Sequence, residues 1–342
     1  MDPRLLDRLL DGRDLDADQA EALLDAVMTG GLGEARLAAL LAALRAKGET
    51  EDEITGFARA LRRRAVRVGP APAGAIDTCG TGGDGAGTFN ISTATALVAA
   101  AMGIPVAKHG NRAVSSRCGS ADVLEALGVA VDLPPERAAL LVGSVGIGFL
   151  FAPLHHPALR QAAAVRRELG VRTVFNLLGP LANPAGVRRQ LLGVYAPGLV
   201  PKLARVLRRL GTERAFVVHG DDGSDEVSLT GPTAIAELRG GAIRRSVFVP
   251  EKAGLPRCRA EDLSGGDARL NAELVRGVLA GEPGPRLDAV LLNAGFCAVL
   301  ADLAADPVQG VALARRAVAS GDALAVLARL AAASRKLAKE AS

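Results

Sequence analysis

Over the first 70 positions, apolar residues recur at helical spacing. Leu5, Leu6, Leu9 and Leu10 share one face. Ala22, Leu23, Leu24, Ala26 and Val27 follow an acidic first turn that opens at Leu15-Asp16-Ala17-Asp18. Gly30-Gly31 ends that helix, a third is predicted over 34–46, and a fourth opens in the acidic run 49–53 and continues to about Val66. The Pro- and Gly-rich stretch 70–74 reads as a linker. Beyond it short apolar runs alternate with amphipathic segments, the signature of a parallel sheet layered with helices. Strands are predicted at 75–79, 106–108, 147–151, 190–194, 215–218 and 289–292. Helices are predicted at 93–102, 121–127, 156–169, 199–210 and 308–333, with a turn-rich stretch at 176–184. The pattern is that of a small all-helical N-terminal segment followed by a larger, mostly parallel α/β unit.

Composition narrows the classes. The chain has 342 residues, 49% hydrophobic and 23% charged, enough for one large domain or two unequal ones and far from the disordered regime. A pI of about 9.1 raises a nucleic-acid reading. Against it, acids are interleaved with the basic residues and aromatics make up only 3%. Of the 41 basic residues 35 are Arg, spread over ordinary helical faces. No nucleic-acid partner is expected. The four cysteines lack metal-ligand spacing, which suits a reducing, cytoplasmic setting. The run 138–154, free of charge and His, is broken by glycines and Pro153, so no membrane partner is expected.

Three loops carry candidate chemistry, each following a predicted parallel strand, where open α/β sheets bind ligands. The first, Gly80-Thr81-Gly82-Gly83-Asp84-Gly85-Ala86-Gly87-Thr88, runs into Asn90-Ile91-Ser92-Thr93 at a helix start. Glycine lets backbone approach a phosphate, and the free N–H groups of a helix start favour an anion. Gly80, Gly82 and Gly85 satisfy G-x-G-x-x-G literally. The helix nevertheless begins only near Ser92, and the second strand ends in Lys108-His109 instead of the ribose-binding acid, which argues against a nicotinamide dinucleotide. In the second loop, 108–120, Lys108, Ser115, Ser116 and Ser120 can converge on an anion. The third holds Asp221, Asp222, Asp225 and Glu226, either a solvated acidic turn or a site for a hard cation such as Mg²⁺. Pro232 at the twelfth position excludes an EF-hand. No P-loop, nucleophile elbow or zincin motif is present, and His155-His156 before Pro157 reads as helix-end packing.

These motifs, taken together, resemble the anthranilate phosphoribosyltransferases. The resemblance rests on Gly80-Thr81-Gly82-Gly83-Asp84, Asn90-Ile91-Ser92-Thr93, Lys108-His109-Gly110-Asn111-Arg112, the stretch from Gly119 to Gly128, Phe149-Leu150-Phe151-Ala152-Pro153, His155-His156-Pro157, Val165-Arg166-Arg167-Glu168-Leu169-Gly170, Asn176 through Pro184, and Asp225-Glu226. It covers essentially the whole chain. It implies a nucleoside-phosphorylase-like fold in which a helical domain, 1–70 joined by about 156–190, is hinged to an α/β domain of 71–155 and 191–342. It also implies a homodimer that moves phosphoribose from phosphoribosyl diphosphate to the amine of anthranilate, a step of tryptophan biosynthesis, with two Mg²⁺ ions in each site.

By the same resemblance Gly80, Thr81, Gly82, Gly83, Asp84, Thr88, Asn90, Ser92, Thr93, Lys108 and Ser120 bind phosphoribosyl diphosphate. Asp225 and Glu226 bind Mg²⁺, with Ser92 at a second ion. Gly80, His109, Asn111, Arg166 and Gly179 surround anthranilate, with the Arg166 guanidinium facing its carboxylate. No covalent nucleophile is implied, because a neutral aromatic amine is already nucleophilic. Two departures stand out: Ser224 where an apolar residue usually precedes Asp-Glu, and Gly295-Phe296-Cys297 in place of an alanine-rich run. A pyrimidine nucleoside phosphorylase would need a different sequence after Lys108. A non-catalytic, nucleic-acid-binding relative should have lost the 80–84 loop or Asp225-Glu226.

Overall fold

The computed structural model describes residues 4–113 and 117–340, so Ser115 and Ser116 lie outside the described residues. The N-terminal periodicity becomes α1 (Leu5–Leu10), α2 (Ala17–Met28), α3 (Glu34–Lys47) and α4 (Glu51–Arg64). Asp16 with Gln19 and Thr50 with Glu53 form capping boxes that start α2 and α4. Glu53 also ties the helices together. Its fully buried carboxylate accepts N–H bonds from Leu15 at 3.0 Å and Thr50 at 2.8 Å and pairs with Lys47 Nζ at 3.0 Å.

The α/β part runs β1 (Ile76–Gly80), α5 (Ile91–Ala101), β2 (Val106–Gly110), α6 (Ser120–Ala126), α7 (Pro135–Ser144) and β3 (Ile147–Phe151). There follow α8 (Ala152–His155), a 3₁₀ turn (Pro157–Ala162), α9 (Ala163–Leu169), α10 (Phe175–Leu178), β4 (Arg189–Gly193), α11 (Leu199–Arg209) and β5 (Arg214–Gly220). The chain ends in β6 (Thr233–Arg239), β7 (Ala242–Phe248), α12 (Ala268–Leu279), α13 (Pro285–Leu300), α14 (Pro307–Ala319) and α15 (Asp322–Lys339). The sheet order is β3-β2-β1-β4-β5-β6-β7. Strands β1 to β5 are parallel, while β6 and β7 are antiparallel. The strand order reverses between β1 and β4, which opens a crevice at their C-terminal ends.

Alternate strand residues feed two cores. Leu191, Phe216, Val218 and Ile235 pack under α5, α12 and α13. Leu192, Val194, Val217 and Ala236 join α1–α4, α11 and the segment carrying Ala162, Val165, Phe175 and Leu181. Among the described residues no single helix is long and apolar enough to cross a membrane.

Several expectations need correction. The run 289–292 is not a strand but part of α13, all of it buried. A continuous apolar run does not separate a buried helix from a buried strand, and here the helix signal was Pro285 at the start of sixteen helical residues. The hairpin β6–β7 went unpredicted because β7, the sheet edge, is mostly exposed and carries Arg244 and Arg245. The stretch 308–333 is two helices that meet at a 65° bend around Ser320-Gly321. The segment 156–169 begins as 3₁₀ because Pro157 and its neighbours leave few regular backbone bonds. Strand β2 reaches Gly110, so Lys108 and His109 are strand residues instead of loop residues.

Replacing Glu53 with Ala should lower unfolding stability by about 2 kcal/mol. It removes the acceptor of the buried Leu15 N–H and the half-buried Thr50 N–H, and leaves Lys47 with Asp14 as its one carboxylate partner among the described residues. Urea denaturation of the full chain measures this directly.

Candidate active site at the switch point

Strands β1, β2, β4 and β5 all end in glycine: Gly80, Gly110, Gly193 and Gly220. At the crevice the reason is close approach. A Cβ on Gly80 would overlap the Asp225 carboxylate, and one on Gly193 would overlap the Asp225 backbone. The acidic turn therefore crosses directly over the ends of β1 and β4. Gly82 and Gly83 both adopt left-handed φ, +63° and +67°, which L side chains disfavour. The turn they make points the Gly82 N–H at Asp225 Oδ2, 2.8 Å away. Thr81 stitches the loop to β4, with its N–H on Gly193 O (2.9 Å) and its hydroxyl accepting from Tyr195 N–H (3.1 Å). At the loop exit Thr88 bridges Ser264, and Phe89 N–H donates to Leu263 O at 3.0 Å.

Asp84 completes the acidic group, its Oδ2 lying 3.4 Å from the Asp225 N–H. Removal from water, and then Asp84, push the Asp225 carboxyl up to about 6. Removal from water, and then Asp225, push Glu226 well above the ordinary carboxyl range, while Lys108 and the Ser92 backbone N–H pull it down. Lys108 is buried; its Nζ donates to Thr78 O at 2.5 Å and reaches Ser92 Oγ at 3.4 Å. Its charge thus sits beneath the rim, at the N-terminus of α5. Asn90, just before α5, spans two elements: Nδ2 donates to Cys118 O at 3.3 Å and Oδ1 accepts from Asn271 Nδ2 at 2.9 Å. Thr93 is buried in the first turn of α5. Ser120 Oγ donates to Asn111 O at 3.2 Å.

The opposite wall is built on His109. Its Nδ1 lies 3.1 Å from Gly179 O; a carbonyl only accepts, so Nδ1 carries the proton and Nε2 keeps a lone pair. Nε2 has no partner among the described residues. Burial, and then neighbouring His156, hold His109 well below the ordinary imidazole range, so the ring is neutral. Arg166 lays its guanidinium over Phe175, 5.0 Å from the ring centroid, and makes no ion pair among the described residues. Asn111 is exposed beside Arg112, which is held by Asp122 and Glu125 and stacks on Phe151.

The fold also brings in residues the motif reading missed. Three successive carbonyls on the segment after α10 are each held by one side chain: Gly179 by His109, Pro180 by Gln190 Nε2 (2.6 Å) and Leu181 by Arg62 Nε (2.6 Å). Buried Asp77 accepts from Asn183 Nδ2 at 2.8 Å and from the His109 N–H at 3.2 Å. Asp77, three residues before Gly80, and Asn183, in Asn183-Pro184, were the only signals available.

Not all four acidic-turn residues face the crevice. Asp222 is consumed by the turn itself, accepting from Ser224, Ser228 and Thr230, and Asp221 is exposed. Among the described residues no three His, Cys, Asp or Glu side chains are arranged to ligate an ion unaided. Asp225 and Glu226 do fit Mg²⁺, which commonly binds one or two carboxylates and completes its shell with phosphate oxygens and water. Their raised proton affinity, set by burial first and mutual repulsion second, marks an unfavourable charge that such a cation relieves.

Residues 3–65 match the family model "Glycosyl transferase family, helical bundle domain" and residues 73–324 match "Glycosyl transferase family, a/b domain". The chain is similar to anthranilate phosphoribosyltransferase of Moorella thermoacetica, 54% identical over 94% of this chain and 95% of that one. Its structure is similar to anthranilate phosphoribosyltransferase of Thermus thermophilus, with a TM-score of 0.91 and 46% identity over 96% of this chain and 99% of that one. The enzyme of Saccharomyces cerevisiae in complex with PRPP and Mg gives a TM-score of 0.89 at 27% identity, covering 97% of each chain.

Burial lowers His156 from 6.5 to about 4, so the unfolded chain takes up its proton first as pH falls. The stability His156 contributes is full above 6.5 and is lost between 6.5 and 4. The urea midpoint should fall across that window, and His156→Asn should flatten the slope.

Proposed function

The chain belongs to the anthranilate phosphoribosyltransferase family, and on that premise we propose how its residues move phosphoribose from 5-phosphoribosyl 1-diphosphate to the amine of anthranilate. The products are N-(5-phosphoribosyl)anthranilate and diphosphate, in the second step of tryptophan biosynthesis from chorismate. The carrying observation is the crevice itself, where Gly80–Asp84, the α5 start and Asp225-Glu226 gather at the strand ends and His109 holds the Gly179 carbonyl beside them. Arg166 is assigned to the anthranilate side by the family resemblance.

The glycine loop, with Thr81 and Thr88 fixing its two ends, receives the diphosphate and ribose, and the N–H groups around Asn90, Ser92 and Thr93 favour phosphate charge. Lys108 supports them from below and offsets the buried carboxylates. Ser120, pinned to Asn111, contacts phosphate where the second loop meets α6. Asp225 and Glu226 hold Mg²⁺, with Ser92 at a second ion; bound there, the metal stabilises the charge that develops on the leaving diphosphate. Anthranilate lies against His109, Asn111, Gly179 and the rim at Gly80. Arg166 turns its planar fork toward the carboxylate.

The amine lone pair forms the C1–N bond while the C1–O bond breaks and its electron pair leaves with diphosphate. The proton released from the new C1–N nitrogen passes to the departing diphosphate or to water. Attack from the opposite face inverts C1. No protein nucleophile enters. Holding both reactants in line contributes up to about 7–11 kcal/mol in favourable cases. The shared core of α1–α4 with residues 162–182 supports a helical domain of 1–70 and 156–190, hinged to 71–155 and 191–342. Unpaired Cys79, Cys118, Cys258 and Cys297 support a cytoplasmic setting, and the family resemblance supports a homodimer.

Anthranilate fluorescence should decay when phosphoribosyl diphosphate is added with Mg²⁺ and hold steady in EDTA. A folded protein that leaves it unchanged under both conditions overturns the function. Arg166→Ala should raise the anthranilate KM by about tenfold or more with phosphoribosyl diphosphate affinity held, as expected for loss of a charge-assisted pair. Steady-state kinetics with each substrate varied decides the Arg166 role.

A further inference from the structure

Asn293 is a primary amide in the middle of α13, fully buried between Leu292 and Ala294. Such a group is costly in an apolar helix unless all its hydrogen bonds are made. Here Oδ1 accepts from the Val227 N–H at 3.0 Å, and Nδ2 donates to Val227 O at 3.0 Å and to Ala289 O at 2.9 Å. The amide orientation is fixed by its partners, since an N–H must meet oxygen and two carbonyls must meet the NH₂ group. One side chain therefore satisfies both backbone groups of Val227, much as a neighbouring strand does.

Val227 directly follows Glu226. The Asp225-Glu226 pair is thus held from three sides. Asp222 closes the turn ahead of it, Gly82 donates to the Asp225 carboxylate, and Asn293 grips the residue behind it. Asn293 alone of the three ties the turn to the helical layer under the sheet. That layer is a rigid reference, because α13 is buried on every side and packs against α5 and α14.

We propose that Asn293 is a positioning residue that aims Asp225 and Glu226 at the glycine loop and so sets the Mg²⁺ requirement for holding phosphoribosyl diphosphate. The inference rests on the function proposed above. A role confined to packing predicts lower thermal stability with the Mg²⁺ requirement unchanged. A positioning role moves that requirement in protein that remains folded.

The test uses the full chain and calorimetric binding of phosphoribosyl diphosphate at a series of Mg²⁺ concentrations, without anthranilate. Asn293→Asp keeps an acceptor for the Val227 N–H and loses the donor. Asn293→Ser is smaller, and Asn293→Leu removes all three bonds. Phe296→Leu, one turn along α13 among Phe216 and Phe248, is the packing control. In Asn293→Asp and Asn293→Ser the Mg²⁺ concentration for half-maximal binding should rise about tenfold, the scale typical of residues that orient metal ligands. High Mg²⁺ should restore binding, and the anthranilate KM at saturating Mg²⁺ should stay within about twofold, since the opposite wall is untouched. Phe296→Leu should lower the melting temperature and leave the Mg²⁺ midpoint in place. An unchanged midpoint in folded Asn293→Asp or Asn293→Ser, or an equal shift in Phe296→Leu, overturns the inference. Failure of all three Asn293 variants to fold overturns it too, because Asn293 then serves stability. Wild-type protein that binds no phosphoribosyl diphosphate in Mg²⁺ overturns the functional reading instead.

Discussion

A carboxylate laid across the ends of two parallel strands organises the crevice. Asp225 occupies the space that side chains on Gly80 and Gly193 would fill, and its Oδ2 takes the Gly82 N–H at 2.8 Å. That contact joins the glycine loop to the acidic turn, two segments 143 residues apart in sequence. The same contact has an electrostatic cost. Burial first, and then the crowding of Asp84, Asp225 and Glu226, makes the carboxyls of Asp225 and Glu226 hold their protons more tightly. Buried Lys108 offsets part of this from below, and a divalent cation held there, as the proposed function requires, would offset more.

The other side of the crevice is stiffened differently. The segment after α10 carries Gly179, and its carbonyls at 179, 180 and 181 are taken in turn by His109 of β2, Gln190 of β4 and Arg62 of α4. Asn183 extends the series to Asp77 of β1. Each bond comes from a different element, so the wall is fixed relative to three strands and one N-terminal helix at once. His109 belongs to both systems: its ring contacts the wall while its backbone N–H is held by Asp77. Its imidazole stays neutral, chiefly because it is buried.

Much of this was legible in the sequence where chemistry is local. Caps at Asp16 and Thr50, the glycine loop and the Lys108-His109 strand end are readable because each depends on residues a few positions apart. The departures have a common physical origin. The apolar run around 289–292 has no polar face, so its period carried no information, and only tertiary burial makes it the middle of α13. Strand β7 failed for the opposite reason: its exposed edge relaxes the alternation that marks a strand. Asn293, Gln190 and Asn183 act through bonds to distant backbone atoms, and a solitary amide in a sequence does not announce which carbonyl it will meet.

The exposed edge has a consequence of its own. Strand β7 offers an unpaired row of backbone donors and acceptors to solvent, the kind of template onto which a second sheet can grow. It also places Arg244 and Arg245 at the middle of that edge. Antiparallel pairing of two such edges would set guanidinium against guanidinium, a repulsion that rises as water is squeezed out. The open end of the sheet is therefore closed by charge, and the parallel strands that carry the crevice stay in a sheet of seven.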